Sequence, residues 1–286
     1  GVPFSVGREA RTAEEPHNGN MAFDYFAGRK SLEMGLLPQT FWPVSTGAAD
    51  NRVMAYNVRY VVKDYGKKEG AHRLPRPENY DPGRFRKWWS LRHSEHKCWF
   101  PNGKDFVNVM NGGNDMQGPL VSTYPDGTPE ERGKVLDALY DLARQHLYYL
   151  QTEMGDETWG LADDEFPLNG GWPYCVYVRE ARRIEGMKRL CESDLHRWMP
   201  RPGDDYLSGI PGDRSRPPLQ KDSIAVGDYD MDCHPCGNAP PADDPAGGKE
   251  GWNGGFMLSS VRAPYQVPYG CIVPRKIEGL LVTCAI

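Results

Sequence analysis

The sequence predicts an α+β fold in which helices pack on a mixed or antiparallel sheet, and three observations support this class. One long helix with an apolar stripe is encoded near the middle of the chain. The strand candidates are short and scattered, without the regular strand-helix alternation of a parallel α/β fold. The 32 glycines and 25 prolines among 286 residues indicate many turns and long connections.

The clearest element is a helix predicted from Pro129 to about Glu153. Thr128 is placed to cap its N-terminus, and Glu131 completes a capping box. Pro129 suits the first helical position because its missing N–H needs no partner there. Apolar residues then recur at helical spacing and predict one buried stripe, formed by Val135, Leu136, Leu139, Leu142, Leu147 and Leu150.

The remaining elements are predicted from shorter patterns. A second helix is predicted from about Val178 to Cys191, and alternation predicts a strand over Met54–Lys63. Short strands are predicted at Tyr174–Val178 and Gly279–Thr283. Proline-rich loops are predicted at 74–84, 197–219 and 238–249.

Composition excludes several classes of protein. A net charge of -5 does not provide the basic face that nucleic acid requires, so no nucleic-acid partner is expected. No apolar run reaches the length of a membrane span, so no membrane partner is expected either. The seven scattered cysteines are predicted to be reduced and mostly buried. Compartment and oligomeric state stay open.

Three arginines, Arg179, Arg182 and Arg183, occur within five residues and between apolar neighbours. Arginine keeps its charge when partly buried and holds anionic oxygens in a planar fork. The predicted helix would place all three on one side, where they would contact a substrate carboxylate or the flavin. A split, with one arginine facing the site and the others structural, is also open. The alternative is internal ion pairing with Glu180 and Glu185.

The segment Cys233-His234-Pro235-Cys236 has the spacing of half a zinc site. A closed site would need two more ligands, and a second cluster of plausible spacing is offered by His93, His96 and Cys98. Because no second Cys-x-x-Cys exists, we predict no metal and take His234 as a functional histidine between ordinary thiols. The acidic run Asp163-Asp164-Glu165 is predicted to be a solvated turn or a charged helix start rather than a metal site.

Several segments, in this order along the chain, are typical of one known family. They are 7–10, 54–59, 159–166, 177–186, 222–229 and 268–276. Together they resemble the FAD-dependent oxidoreductase family, in which a capping, substrate-side region is inserted into a dinucleotide-binding fold. The resemblance covers most of the chain.

The resemblance implies that residues 1–286 are the substrate-side region of a larger flavoprotein, with the chain from about 265 returning toward the FAD domain. The sequence contains no Gly-x-Gly-x-x-Gly turn after an apolar strand. FAD is therefore expected to be bound mainly by segments outside this chain. The expected partners are the remaining part of the same flavoprotein and a small-molecule substrate, and the sequence is expected to be the middle and late part of a longer polypeptide.

The implied activity is hydride transfer between FAD and an unidentified small organic substrate. The family carries an Asp-x-His pattern, matched by Asp232-Cys233-His234, so His234 is the expected proton-handling group. The catalytic set implied with it is His234, Arg179, Arg182 and Arg183. Tyr269 and Gly270 are the expected flavin contacts. For each, a purely structural role is the alternative.

Two other functions stay open at this point. The chain could be a non-catalytic interaction module on a degenerate oxidoreductase scaffold. Its tryptophans also permit a secreted carbohydrate-binding or polysaccharide-processing protein, because exposed tryptophans stack on sugar rings. The glycan hypothesis requires Trp88, Trp89 and Trp252 to lie exposed in a shared groove.

Overall fold

The structure is a computed structural model, and it describes residues 1–12, 14–15, 18–19, 47–66, 70, 72–85, 100–108, 114–195, 217–229, 231–234, 236, 256–258 and 264–283. The strands are β1 (Phe4–Ser5), β2 (Tyr60–Asp64), β3 (Lys104–Val107), β4 (Trp159–Leu161), β5 (Arg183–Ile184), β6 (Ser223–Gly227), β7 (Met231–Cys233), β8 (Phe256–Leu258) and β9 (Tyr265–Pro268). The helices are α1 (Pro119–Ser122), α2 (Pro129–Glu153) and α3 (Glu192–Leu195).

All strand pairs among the described residues are antiparallel. Together with α2, these small sheets confirm the predicted α+β class. The chain divides into two compact units, which are described one at a time. Unit 1 comprises Gly1–Met54 and Glu180–Ile286, and unit 2 comprises Ala55–Arg179.

Unit 2 is built on the three-stranded sheet β3-β2-β4. Val62 in the central strand lies opposite Asp105 on one side and Leu161 on the other. Before β2, Tyr56 and Asn57 form single bridges with Met116 and Tyr177. The predicted strand over Met54–Lys63 is therefore only partly right, because regular pairing begins at Tyr60.

The long helix α2 confirms the sequence prediction in both its bounds and its cap. The Thr128 hydroxyl accepts from the Glu131 amide at 3.3 Å, and the Thr128 amide donates to Glu131 Oε2 at 2.7 Å. Most of the predicted stripe is buried, while Leu136 is partly exposed. One face of the helix therefore closes the core of unit 2.

Polar side chains on the buried face of α2 are matched to partners in the same unit. The hydroxyl of Tyr60 and Nδ1 of His146 are 2.9 Å apart. Gln151 accepts from the amide of Leu74 and donates to carbonyls of His72 and Trp159. Because buried polar groups are costly without partners, these bonds fix the helix against the segments around it.

Unit 1 contains three two-stranded sheets, β1-β5, β6-β9 and β7-β8. Phe4 lies opposite Ile184 in the first pair, and the amide of Glu185 donates to the carbonyl of Pro3. The β6-β9 register runs from Ser223 opposite Pro268 to Gly227 opposite Tyr265. The β1-β5 pairing therefore joins the start of the sequence to residues 183–184.

The predicted helix over 178–191 is wrong. The segment is extended where Arg183 and Ile184 form β5, and the only helix nearby, α3, begins at Glu192. Pairing with β1 satisfies its backbone groups, and valine and isoleucine accept the extended conformation readily. The expectation that a helix places Arg179, Arg182 and Arg183 on one side is therefore wrong as well.

Two short strand predictions also fail. Tyr174–Val178 forms only the single bridge at Tyr177, and Gly279–Thr283 forms turns and irregular chain. The proline-rich segment at 74–84 is a loop with a short 3-10 turn, as predicted. The loop predicted at 197–219 is described only from 217 onward, and the one at 238–249 lies outside the described residues.

The described tryptophans serve as core or partly buried side chains. The ring of Trp172 is buried and lies 5.2 Å from that of Tyr60. The residues that the glycan hypothesis requires to be exposed, Trp88, Trp89 and Trp252, lie outside the described residues. Within the described part of the chain, no helix combines the length and apolarity needed to cross a membrane.

Candidate functional site

A cluster of charged side chains in unit 1 begins at Gly7 and Arg8. Gly7 has a φ of 82°, and a Cβ there would lie 2.3 Å from the carbonyl oxygen of Asp50. Only glycine fits this close approach. It brings Arg8 against Asp50, where Nε donates to Oδ1 at 2.9 Å and Nη2 donates to Oδ2. The two side chains form a bidentate ion pair.

Glu180 is the second acid of this cluster. Its Oε2 accepts from the amide of Met54 at 2.7 Å, and its Oε1 accepts from Nη1 of Arg183 at 3.2 Å. Arg183 also donates to the carbonyl of Gly7. Burial raises the pKa of Glu180, opposed by the Met54 amide and by the charges of Arg183 and Arg8.

His234 adjoins the same cluster through Met54. Its backbone amide donates to Sδ of Met54 at 3.2 Å, and only 5% of the residue is exposed. A continuous series of contacts therefore runs from Arg183 through Glu180 and Met54 to His234. The structure thus connects two predicted site residues, the partly exposed Arg183 and the buried His234, through Glu180 and Met54.

Cys236 closes this neighbourhood as a buried thiol. Its carbonyl accepts from Nη1 of Arg52 at 3.5 Å, and its Sγ lies 3.7 Å from the carbonyl of His234. Burial raises the pKa of Cys236 to about 12, with Arg8 and Arg52 acting in the opposite direction. Since the thiolate is the nucleophile and the metal ligand, Cys236 is an inert packing group in this state.

The other predicted residues of unit 1 lie in different surroundings. Arg182 is exposed, with its guanidinium 4.8 Å from the ring centre of Phe4. Tyr269, which follows β9, is 45% exposed and donates its amide to the carbonyl of Asp222. A Cβ on Gly270 would lie 3.0 Å from Cβ of Lys188, so close packing gives a structural reason for glycine. Their flavin contact stays a prediction.

Arg179 belongs to unit 2 and forms a second buried cluster. Its Nη2 donates to Oδ1 of Asp115 at 3.0 Å, with side-chain exposures of 5% and 4%. Its Nη1 donates to the carbonyl of Ala55. Nδ2 of the Asn57 side chain also donates to Oδ1 of Asp115, at 2.8 Å. The same carboxylate oxygen of Asp115 therefore accepts hydrogen bonds from Arg179 and Asn57.

Arg59 lies next to this second cluster, where its guanidinium stacks on the ring of Tyr177. Its guanidinium carbon is 3.2 Å from the ring centre of Tyr177, and that of Arg179 is 5.3 Å from the same point. Burial lowers the pKa of Arg59, and the charge of Arg179 lowers it too, while Tyr177 and Asp115 oppose the shift. Among the described residues, the buried Nε atoms of Arg59 and Arg179 and the buried Oδ1 of Asn57 have no hydrogen-bond partner.

The acidic run at 163–165 is held by lysines in the sheet of unit 2. Asp163 pairs with Lys63 at 3.1 Å, and Asp164 and Glu165 pair with Lys104 at 2.8 and 2.7 Å. Within the described residues, no group of three His, Cys, Asp or Glu side chains is placed to hold a metal ion. The side chain of Cys233 and residues His93, His96 and Cys98 lie outside that description.

Arg8, Asp50 and Arg59 are charged residues of the two clusters that were not predicted from the sequence. Arg8 and Arg59 do lie in segments 7–10 and 54–59, which carry the family resemblance, so their position was a usable signal. Asp50 has no such signal. Its role depends on Gly7 bringing a distant backbone within van der Waals distance.

A comparison with known proteins identifies the family of this chain. The family model for the FAD dependent oxidoreductases matches residues 1–286, which is the whole chain. The chain therefore belongs to this family of flavin-dependent oxidoreductases. No curated protein and no solved structure matches it.

Family membership implies FAD, and the described residues do not form its diphosphate site. A dinucleotide site of the usual kind needs a parallel strand, a glycine-rich turn and a helix N-terminus facing the phosphates. Every described strand pair is antiparallel, and α2 begins after a Pro-Asp-Gly-Thr turn without a parallel strand before it.

Proposed function

We propose that this chain is the substrate-side region of a flavin-dependent oxidoreductase that transfers a hydride between FAD and a small organic substrate. The remaining part of the same flavoprotein would supply the dinucleotide site. Family membership over the whole chain supports the general chemistry. The choice of a substrate-side role is supported by the buried charged cluster and by the lack of a dinucleotide site among the described residues.

The observation that carries the proposal is the series of contacts from Arg183 to His234. Arg183 contacts Glu180, Glu180 accepts from the amide of Met54, and Met54 accepts from the amide of His234. A rigid, hydrogen-bonded support of this kind holds a functional side chain in place. Sequence alone does not require these residues, which are distant along the chain, to meet.

The roles follow from the chemistry of each group. When bound, FAD supplies the hydride acceptor or donor. Hydride removal from an alcohol or amine also requires a proton to leave the substrate, and His234 is the group that accepts it. Arg183 provides a cation for a negatively charged substrate group, and Glu180 fixes its position. The low exposure of His234 limits competition from water.

The test uses the full-length polypeptide with His234→Gln, and His72→Gln as the matched control. His72 is exposed in unit 2, where it stacks on Tyr65. Small hydroxylated and carboxylated compounds are screened anaerobically for loss of the oxidised flavin absorbance. For an active compound, H234Q should retain flavin and reduce it about 10²–10⁴ times more slowly, whereas H72Q should match the wild type.

Two results would contradict the proposal. If the full-length protein shows no flavin absorbance after reconstitution with FAD, it does not act as a flavin-dependent oxidoreductase. A normal reduction rate in H234Q would return His234 to a structural role and leave the family chemistry in place.

A further inference from the structure

Among the described residues, the second cluster, in unit 2, contains two arginines and one carboxylate. Arg59 and Arg179 lie at the same tyrosine ring, and Asp115 is the carboxylate that pairs with Arg179. Arg179 and Asn57 both donate to Asp115. Arg59 forms no ion pair within the described part of the chain, although the charge of Asp115 also favours its charged form.

The backbone explains why these side chains share a face. Asn57 and Tyr177 exchange two backbone hydrogen bonds, at 3.4 and 2.7 Å, and are directly opposite each other. In extended chain every second residue points the same way. Arg59 and Arg179, each two residues beyond one member of this pair, therefore lie on the face of Asn57 and Tyr177.

Among the described residues, the side chain of Arg59 interacts with Tyr177, both through its ring and as a side-chain hydrogen-bond partner, and with the ring of Phe106. Its guanidinium lies on Tyr177 and 6.0 Å from the ring centre of Phe106, and Nε is buried without a hydrogen-bond partner among these residues. The residue itself is partly exposed, and Tyr177 is 39% exposed. A guanidinium stacked on an aromatic ring keeps its in-plane N–H donors available to a planar anion.

A second observation at this face concerns buried polar atoms. Asn57 is fully buried, yet its Oδ1 has no hydrogen-bond partner in the part of the chain that the structure describes, and Nε of the buried Arg179 has none there either. Buried polar atoms without partners are rare and often mark places where another group binds. Within the described residues, the cluster therefore combines two arginines and one carboxylate with unused hydrogen-bonding capacity.

We propose that Arg59 and Tyr177 form a binding site for the carboxylate group of a small organic molecule. The guanidinium holds the carboxylate, Tyr177 covers one side of it, and the Arg179–Asp115 pair keeps the ring and Arg59 in position. This site lies wholly within unit 2. It does not depend on the proposed hydride transfer, because it concerns equilibrium binding without flavin.

The experiment measures binding of benzoate to the complete chain by isothermal titration calorimetry. Benzamide has the same shape without the charge, and inorganic phosphate tests a tetrahedral anion. We expect benzoate to bind measurably more tightly than either. Arg59→Gln should weaken benzoate binding at least about tenfold, and Arg59→Lys should restore part of it because lysine keeps the charge without the planar fork.

Arg76→Gln is the matched control, since Arg76 is an exposed arginine 5.5 Å from the ring centre of Tyr80 in the same unit. Its benzoate affinity should equal that of the wild type. Unchanged affinity in R59Q, or equal affinity for benzamide, would overturn the proposal. Equal affinity for phosphate would overturn the choice of a carboxylate.

A measurement on the wild-type chain covers the case in which R59Q does not fold. In nitrogen-15 spectra of arginine Nε–Hε groups, benzoate should shift the Arg59 signal and leave that of Arg76 in place. The Arg59 signal is assigned from its loss in R59K. Saturating benzoate without a shift of the Arg59 signal would contradict the site directly.

Discussion

Glu180 shows how a single buried residue in unit 1 is balanced between opposing effects. Burial favours its neutral form, and the Met54 amide and nearby arginines favour the carboxylate. The net result is a raised pKa, so burial outweighs its partners. Glu180 therefore costs stability when ionised, although it supports Met54 and Arg183.

Glu180→Gln tests this balance through the pH dependence of stability. Because the pKa is raised from its ordinary value of 4.5 in the folded state, the folded protein binds the proton more tightly than the unfolded chain does. This residue's contribution to stability is full below pH 4.5 and declines as pH rises through the folded pKa. The free energy of unfolding of E180Q relative to the wild type should therefore increase from pH 4 toward neutrality.

Urea unfolding of both proteins across that range checks the prediction. Glu130→Gln is the control, because Glu130 is an exposed acid on α2. A difference between E180Q and the wild type that stays constant with pH would mean that burial does not shift this carboxyl group.

The elements differ in how much of their stability is local. The helix α2 carries its own start signal, an apolar stripe and 25 residues of length. The residues of β5 have none of these, and they form a strand because Phe4 and Ser5 pair with them. Local sequence signals therefore determine that α2 is a helix, whereas pairing with a segment distant in sequence determines that β5 is a strand.

Thr128→Ala should lower the free energy of unfolding by about 1 kcal/mol, because the amide of Glu131 loses its capping acceptor. Thr128→Ser keeps the hydroxyl and should stay close to the wild type. The free energy of unfolding of both variants is measured by chemical unfolding, followed by the helical signal in far-ultraviolet circular dichroism. Equal losses in the alanine and serine variants would show that the methyl group of Thr128, rather than its hydroxyl, stabilises this turn.

At the scale of the whole molecule, the two units differ in continuity. Unit 2 is one uninterrupted stretch, Ala55–Arg179, whereas unit 1 joins Gly1–Met54 with Glu180–Ile286. Unit 2 also contains its own three-stranded sheet, α2 and a buried core that includes Phe85, Leu142 and Tyr149. It meets the requirements of an independent folding unit.

We expect a polypeptide of residues 55–179 to fold by itself, with helical circular dichroism, dispersed amide signals and cooperative unfolding. Leu142→Ala in the same polypeptide should lower its stability by about 2–5 kcal/mol if the native core is present. Amide signals without dispersion, or an L142A variant with unchanged stability, would show that unit 2 requires unit 1 to fold.

The sequence by itself determined what depends on near neighbours. The cap and bounds of α2 and the α+β class follow from spacing and residue type within short stretches, and the structure confirms them. Family membership was also visible, because ordered local segments carry it. His234 and Arg183 could be named as candidates from the same segments, and their catalytic role stays a prediction.

Only the tertiary structure decided which charged groups meet. Arg179 and Arg183 are four residues apart, yet one pairs with Asp115 in unit 2 and the other with Glu180 in unit 1. The Arg8–Asp50 pair depends on the close approach of the Asp50 backbone to Gly7. Whether Arg59 has an acidic partner depends on Asp115, which forms its ion pair with Arg179. Charge pairing acts through space between residues distant in sequence, so no local pattern could assign these partners.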